Sequence, residues 1–160
     1  MSTPDPVGYV RLTASVPLHA DPEAVVAALR SGPSGWEERP SVPGYHRYAV
    51  DLRLRLGGDA AGLTTFRKAA YVDVGWVRPA EDAGYVAEIS WRATTAAPLF
   101  PVFSGELRVG AEALTVNGLY APPGGAAGML ADRALLHVAA NGTARWLLRE
   151  IDRVALGAAA

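Results

Sequence analysis

The sequence predicts an α+β fold, with one antiparallel sheet of about six strands packed against a long closing helix. Three observations predict it. Polar and apolar residues alternate from Tyr45 to Leu56 and again in later segments. Short turns rich in Gly and Pro separate those segments, and short turns join antiparallel neighbours. A helical period then runs from about residue 126 to about residue 156.

The elements follow in order. Val10, Leu12, Ala14 and Val16 alternate with Arg11, Thr13 and Ser15, the pattern of a half-buried strand. In "ADPEAVVAALR", Asp21 is placed to cap a helix, Pro22 takes its first position and Glu23 suits its positive end. That helix fades near Ser31-Gly32-Pro33, and Trp36 follows in a connector with room for one more turn. From Tyr45 the period is two. His46, Tyr48, Val50, Leu52, Leu54 and Leu56 share one face, with Arg47, Asp51, Arg53 and Arg55 on the other. "GGDAAG" turns the chain into a strand from Thr65 to Val77, with Phe66, Ala70, Val72, Val74 and Trp76 in phase. After "RPAEDAG", Tyr85, Ala87, Ile89 and Trp91 face opposite to Glu88 and Arg92. Strands Phe103–Val109 and Leu114–Tyr120 complete the sheet.

The closing helix carries a stripe of Leu136, Ala140, Ala144, Leu147, Ile151 and Val154, so it lies on the sheet. Ala134, Ala140 and Ala144 are small where a packed core favours Leu. Arg133 falls within the stripe, and His137 and Asn141 fall at its edge. Small residues with a few polar ones, facing an apolar sheet, are what a lined cavity needs. Trp146 and Leu135 fall on the opposite side, under a loop or at a partner surface.

Composition narrows the function. The chain has 160 residues, which fits a single domain over 1–160. A net charge of −1 supplies no field for nucleic acid or an anionic membrane. No apolar run approaches the roughly 20 residues that span a bilayer. "MSTPDPVGYV" lacks the basic and apolar regions of a signal peptide, so the cytoplasm is the expected compartment. There is no cysteine, hence no disulfide and no thiolate for a zinc site.

Glycines in "GLYAPPGGAAGMLADRALLH" invite a phosphate-loop reading. No lysine follows them, and no strand follows the helix, so neither a P-loop nor a dinucleotide fingerprint is present. Pro122 to Gly128 reads as a hinge at the cavity rim. His19, His46 and His137 lack metal-ligand spacing, and no G-x-S-x-G elbow occurs. Neither a catalytic group, a metal nor a cofactor is singled out.

This order of elements, with "ADPEAVVAALRSGPSGW" and the long closing helix, resembles the START-like or SRPBCC superfamily, in a bacterial branch. The resemblance implies a helix-grip architecture, in which a curved sheet wraps the C-terminal helix and an apolar molecule lies between them. It implies sheet-side lining by Tyr48, Val50, Leu52, Ile89, Trp91 and Leu107. Helix-side lining falls to Arg133, His137 and Ala140. In line with Leu136, Ala140 and Ala144, Arg133 must reach water, pair with an acid such as Glu88 or Glu106, or face an acidic head group at the cavity mouth. The expected function is carriage or sequestration of a hydrophobic or amphipathic small molecule. The alternatives are a polyketide cyclase or dehydratase using the same cavity, and a protein-interaction module. A homodimer stays open.

Overall fold

The structure is a computed structural model that describes residues 8–56, 64–95, 102–121 and 133–158. Side chains at 54–56, 64–66 and 133–136 lie outside that description, as does the expected hinge at 122–128. Strand β1 (Val10–Pro17) is followed by α1 (Pro22–Ser31). Then come β2 (Glu37–Arg39), β3 (Tyr45–Leu56), β4 (Thr64–Gly75), β5 (Arg78–Pro79), β6 (Tyr85–Ala93), β7 (Val102–Val109) and β8 (Ala113–Ala121). Helix α2 (Arg133–Ala158) ends the described chain.

All eight strands belong to one antiparallel sheet, in the order β1-β8-β7-β6-β4-β3-β2 with β5 on β6. The six strands expected are present, and β2 and β5 are additional short ones. The residues after Trp36 therefore form an edge strand on β3, in a stretch read from sequence only as a connector with room for one more turn. The strand ending at Gly75 also corrects the phase of Trp76. Its side chain is 72% exposed, outside the inner set of Ala70, Val72 and Val74.

Local chemistry explains α1. The Asp21 carboxylate accepts the Glu23 N–H at 2.9 Å, and Pro22 occupies the first turn, where a missing N–H costs nothing. The helix stops at Gly32, whose φ of 89° suits a residue without Cβ.

Curvature follows from what α2 touches. It packs mainly on β3 and β1, which stand five strand spacings apart in the sheet order. On a flat sheet that is about 24 Å, whereas a helix with its side chains is about 10 Å wide. The sheet must curl for one helix to rest on both margins. Its central strands β4, β6 and β7 then stand back from the helix, and their side chains fill the interval.

A buried carboxylate fixes the far half of α2. Asp152 accepts the backbone N–H groups of His19 at 3.0 Å and Ala20 at 2.9 Å, and meets His19 Nδ1 at 2.8 Å. This ties α2 to the junction between β1 and α1. Among the described residues no helix is long and apolar enough to cross a membrane.

Candidate functional site

Register builds the inner face row by row, because directly opposed residues on antiparallel strands share a face. One row runs across six strands: Tyr48 opposite Val72, Val72 opposite Trp91, Trp91 opposite Phe103, Phe103 opposite Tyr120, and Tyr120 opposite Val10. Four of its members are aromatic. Trp91 and Phe103 stack with centroids 4.0 Å apart and planes 16° from parallel. The next row toward α1 contains Gly105 opposite Gly118. A Cβ at either glycine would stand 2.8 Å from Phe103 Cζ, so the two glycines make the recess in which that ring lies.

The two ends of this face differ. At one end α1 closes the sheet: Arg30 donates to the Val77 carbonyl at 3.2 Å, and Tyr48 Oη donates to the Leu29 carbonyl at 3.2 Å. At the other end stand Val50, Ala70 and Ala93, then Leu52 opposite Lys68. The start of α2 lies over this second end, where the His137 ring is 6.2 Å from that of Tyr120.

Each expected lining residue can now be placed. Tyr48, Val50, Leu52, Ile89, Trp91 and Leu107 all point inward and belong to one buried cluster with Ala140. Tyr48 and Trp91 lie in the aromatic row, and Val50 and Leu52 lie on its side away from α1. Ile89 and Leu107 lie on the α1 side, among packed neighbours. His137 is exposed at the rim. Arg133 begins α2, and its side chain is outside the described residues.

Three tyrosines near the site are engaged within the fold. Tyr48 is held by Leu29, and burial, with the Glu38 carboxylate a lesser influence, raises its pKa. Tyr85 donates to Glu23, whose carboxylate pushes the phenol's pKa up. Tyr71 lies on the outer face beneath the Arg47 guanidinium, 5.3 Å from the ring centroid. Trp146 is half-buried against the core and lines an outer groove with Trp36, which accounts for its place off the stripe.

Four buried polar side-chain atoms lack a partner among the described residues; those of Trp36 and Ser41 lie in connectors, and two lie on the sheet and on α2. Trp91 Nε1 and Thr143 Oγ1 are buried and have no hydrogen-bond partner among the described residues. Trp91 belongs to the sheet wall. Thr143 belongs to the helix wall, about 60° around α2 from Ala140 on the side of Trp146, hence toward β3. A helical Thr commonly returns its hydroxyl to the carbonyl one turn earlier, and this one does not. An orphaned buried donor costs about 1–3 kcal/mol. Sequence reasoning missed Thr143, which falls off the apolar stripe, and had no access to the isolation of the Trp91 indole. Among the described residues, no group of His, Asp and Glu is arranged to hold a metal.

One solved structure is similar over nearly the whole chain: the crystal structure of the Zhui aromatase/cyclase from Streptomyces sp. R1128. The match covers 95% of this chain and 96% of that one, with a TM-score of 0.54 and 15% sequence identity. The chain has the helix-grip fold. At that identity the likeness is one of fold. No family model and no curated protein matches the sequence. In helix-grip terms, α2 is the gripped helix, and the aromatic row crosses the concave sheet that faces it.

Proposed function

We propose that this helix-grip protein is a cytoplasmic carrier that binds a hydrophobic or amphipathic small molecule between the sheet and the first half of α2, over the row Tyr48–Trp91–Phe103–Tyr120. The observation that carries the reading is the pair of unpartnered donors, Trp91 Nε1 and Thr143 Oγ1, on the two walls of one apolar interval. Buried polar groups are nearly always paired in folded proteins. Two that are not, on facing layers, suit a ligand bearing hydrogen-bond acceptors on an apolar body. The alanines of α2, Ala140 and Ala144, keep its backbone close to that body.

The experiment is a thermal-shift screen of aromatic and lipid-like compounds, followed by Trp91→Phe. Ligands that bind the folded state raise the melting temperature by mass action. Phenylalanine keeps the stack on Phe103 and removes the orphaned N–H. We expect the empty variant to be as stable as the parent, or up to about 1 kcal/mol more so. It should bind acceptor-bearing ligands about tenfold more weakly. A screen without any stabilising compound overturns the reading.

The solved relative's description as an aromatase/cyclase, together with the His137–Tyr120 contact at the rim, favours a second reading as an enzyme of cyclase type. There His137 would exchange a proton with a bound polyketide-like chain. Turnover of such a chain, lost in His137→Ala with binding retained, separates this reading from a pure carrier.

A further inference from the structure

One cation interrupts the inner face. Alternation along β4 places Lys68 in phase with Ala70, Val72 and Val74, all three fully buried. Lys68 stands directly opposite Leu52, which has no exposed surface, while its neighbours Arg67 and Ala69 are exposed on the outer face. It is the only lysine in the chain. The other described Asp, Glu and Arg side chains of β1, β3, β4, β6 and β7 take the outward phase: Arg11, Arg47, Asp51, Arg53, Arg67, Asp73, Glu88, Arg92, Glu106 and Arg108. The Lys68 side chain is half-buried, and no hydrogen bond or ion pair engages it among the described residues.

Its position gives the charge a use. Lys68 lies at the end of the sheet opposite α1, four residues along β4 from Val72 in the aromatic row, about 13 Å at strand rise. Those intervening residues are apolar or small on the inner face: Ala70 on β4, and Val50 opposite it on β3. An ammonium on such a face is either drawn out to water or met by an anion. Sequence reading gave an anion-binding role to Arg133, whose side chain lies outside the described residues.

We propose that the ligand is an apolar carboxylic acid, whose body lies over the aromatic row and whose carboxylate is received by the Lys68 ammonium at the end of the sheet away from α1. The proposal rests on the binding reading above and adds the ligand's chemical class. A body of two linked aromatic rings matches the span.

The test uses biphenyl-4-carboxylate and its neutral carboxamide, titrated calorimetrically into the full chain at neutral pH. We expect the acid to bind at least about tenfold more tightly than the amide, as a charge-assisted contact provides. In Lys68→Met the acid should weaken by about tenfold and the amide stay within about twofold, with Lys68→Arg restoring part of the preference. Equal binding of acid and amide in the parent, or an equal loss of both in Lys68→Met, overturns the acid proposal and leaves the binding reading standing. If neither compound binds, both fall. Should Lys68→Met not fold, the parent still decides the matter. Reductive ¹³C-methylation keeps the lysine charge and labels only Lys68 and the terminal amine. The dimethyl-lysine resonance should shift with the acid and stay fixed with the amide; a shift with both, or with neither, overturns the proposal.

Discussion

Asp152 is the only Asp, Glu, Lys or Arg buried among the described residues, and its surroundings explain why it stays charged. Burial alone would push its carboxyl pKa up. The Ala20 N–H, the His19 side chain and the His19 N–H outweigh that and hold it below the ordinary value. A folded-state pKa below the unfolded one contributes stability that is complete above the unfolded value, about 4, and is lost as pH falls through the folded value. We expect Asp152→Asn to lower stability by about 1–3 kcal/mol at neutral pH, since one amide cannot accept what two carboxylate oxygens do. Melting curves from pH 7 to pH 3 should show the gap between parent and variant closing at the acid end. A gap independent of pH would mean that the carboxylate charge is not what ties α2 to the β1–α1 junction. His19→Ala should cost under about 1 kcal/mol, because the His19 side chain is 68% exposed and its ion pair is screened. Nothing in the sequence announces Asp152. Its partners lie 132 and 133 residues away, and next to Arg153 it reads as one more solvated charge.

At the scale of elements, the sequence shows what periodicity can carry and little else. The six long strands, α1 with its Asp21 cap and the body of α2 were legible because each repeats a pattern over several residues. β2 was not, since Glu37, Glu38 and Arg39 are all exposed and its pairing comes from β3. β5 is only two residues long. Trp76 misled because alternation continues by chance past Gly75, where the strand stops. The recess at Gly105 and Gly118 was also hidden, for a glycine in a strand reads as a weakness until its partner is known. At Gly105 a Cβ would come within 2.4 Å of the Asn117 carbonyl oxygen and 2.7 Å of Gly118 Cα, both backbone atoms that cannot swing aside. We expect Gly105→Ala to destabilise by about 1–3 kcal/mol as β7 and β8 are forced apart. Gly142 is the control. It lies inside α2 with nothing within 4 Å of a new Cβ, so Gly142→Ala should stabilise by about 0.5–1 kcal/mol. Denaturant midpoints of the two variants moving in the same direction would contradict this account of the recess.

For the whole molecule, the decisive contact is between β1 and β8, which joins the first strand to the last across some hundred residues and which no local pattern specifies. The family resemblance implied a curved sheet around the closing helix, but not which strands pair. The site divides the same way. Tyr48 and Trp91 were legible as inward residues, but their alignment with Phe103 and Tyr120 needed the register of four strand pairs. Lys68 is in phase with its buried neighbours Ala70, Val72 and Val74, so its inward place was legible in the alternation. The sheet also leaves one part unsupported. β6 pairs with β4 from Ala70 to Val74, and Thr94 N–H reaches the Ala69 carbonyl at 3.0 Å. Beyond that point, residues 64–68 of β4 pair only with β3, among the described strands. A two-stranded ribbon is marginally stable by itself. This one carries Lys68 and depends on α2 for support, whereas α1 and Asp152 fasten the opposite end. We therefore expect hydrogen exchange, followed by mass spectrometry, to separate the two ends. Peptides from 52–56 and 64–68 should exchange by local opening, and peptides from 86–91 and 114–118 only with global unfolding. A ligand bridging the aromatic row and Lys68 should slow the first group and leave the second unchanged. Uniform protection along β4 in the empty protein would refute the idea that the ribbon opens independently.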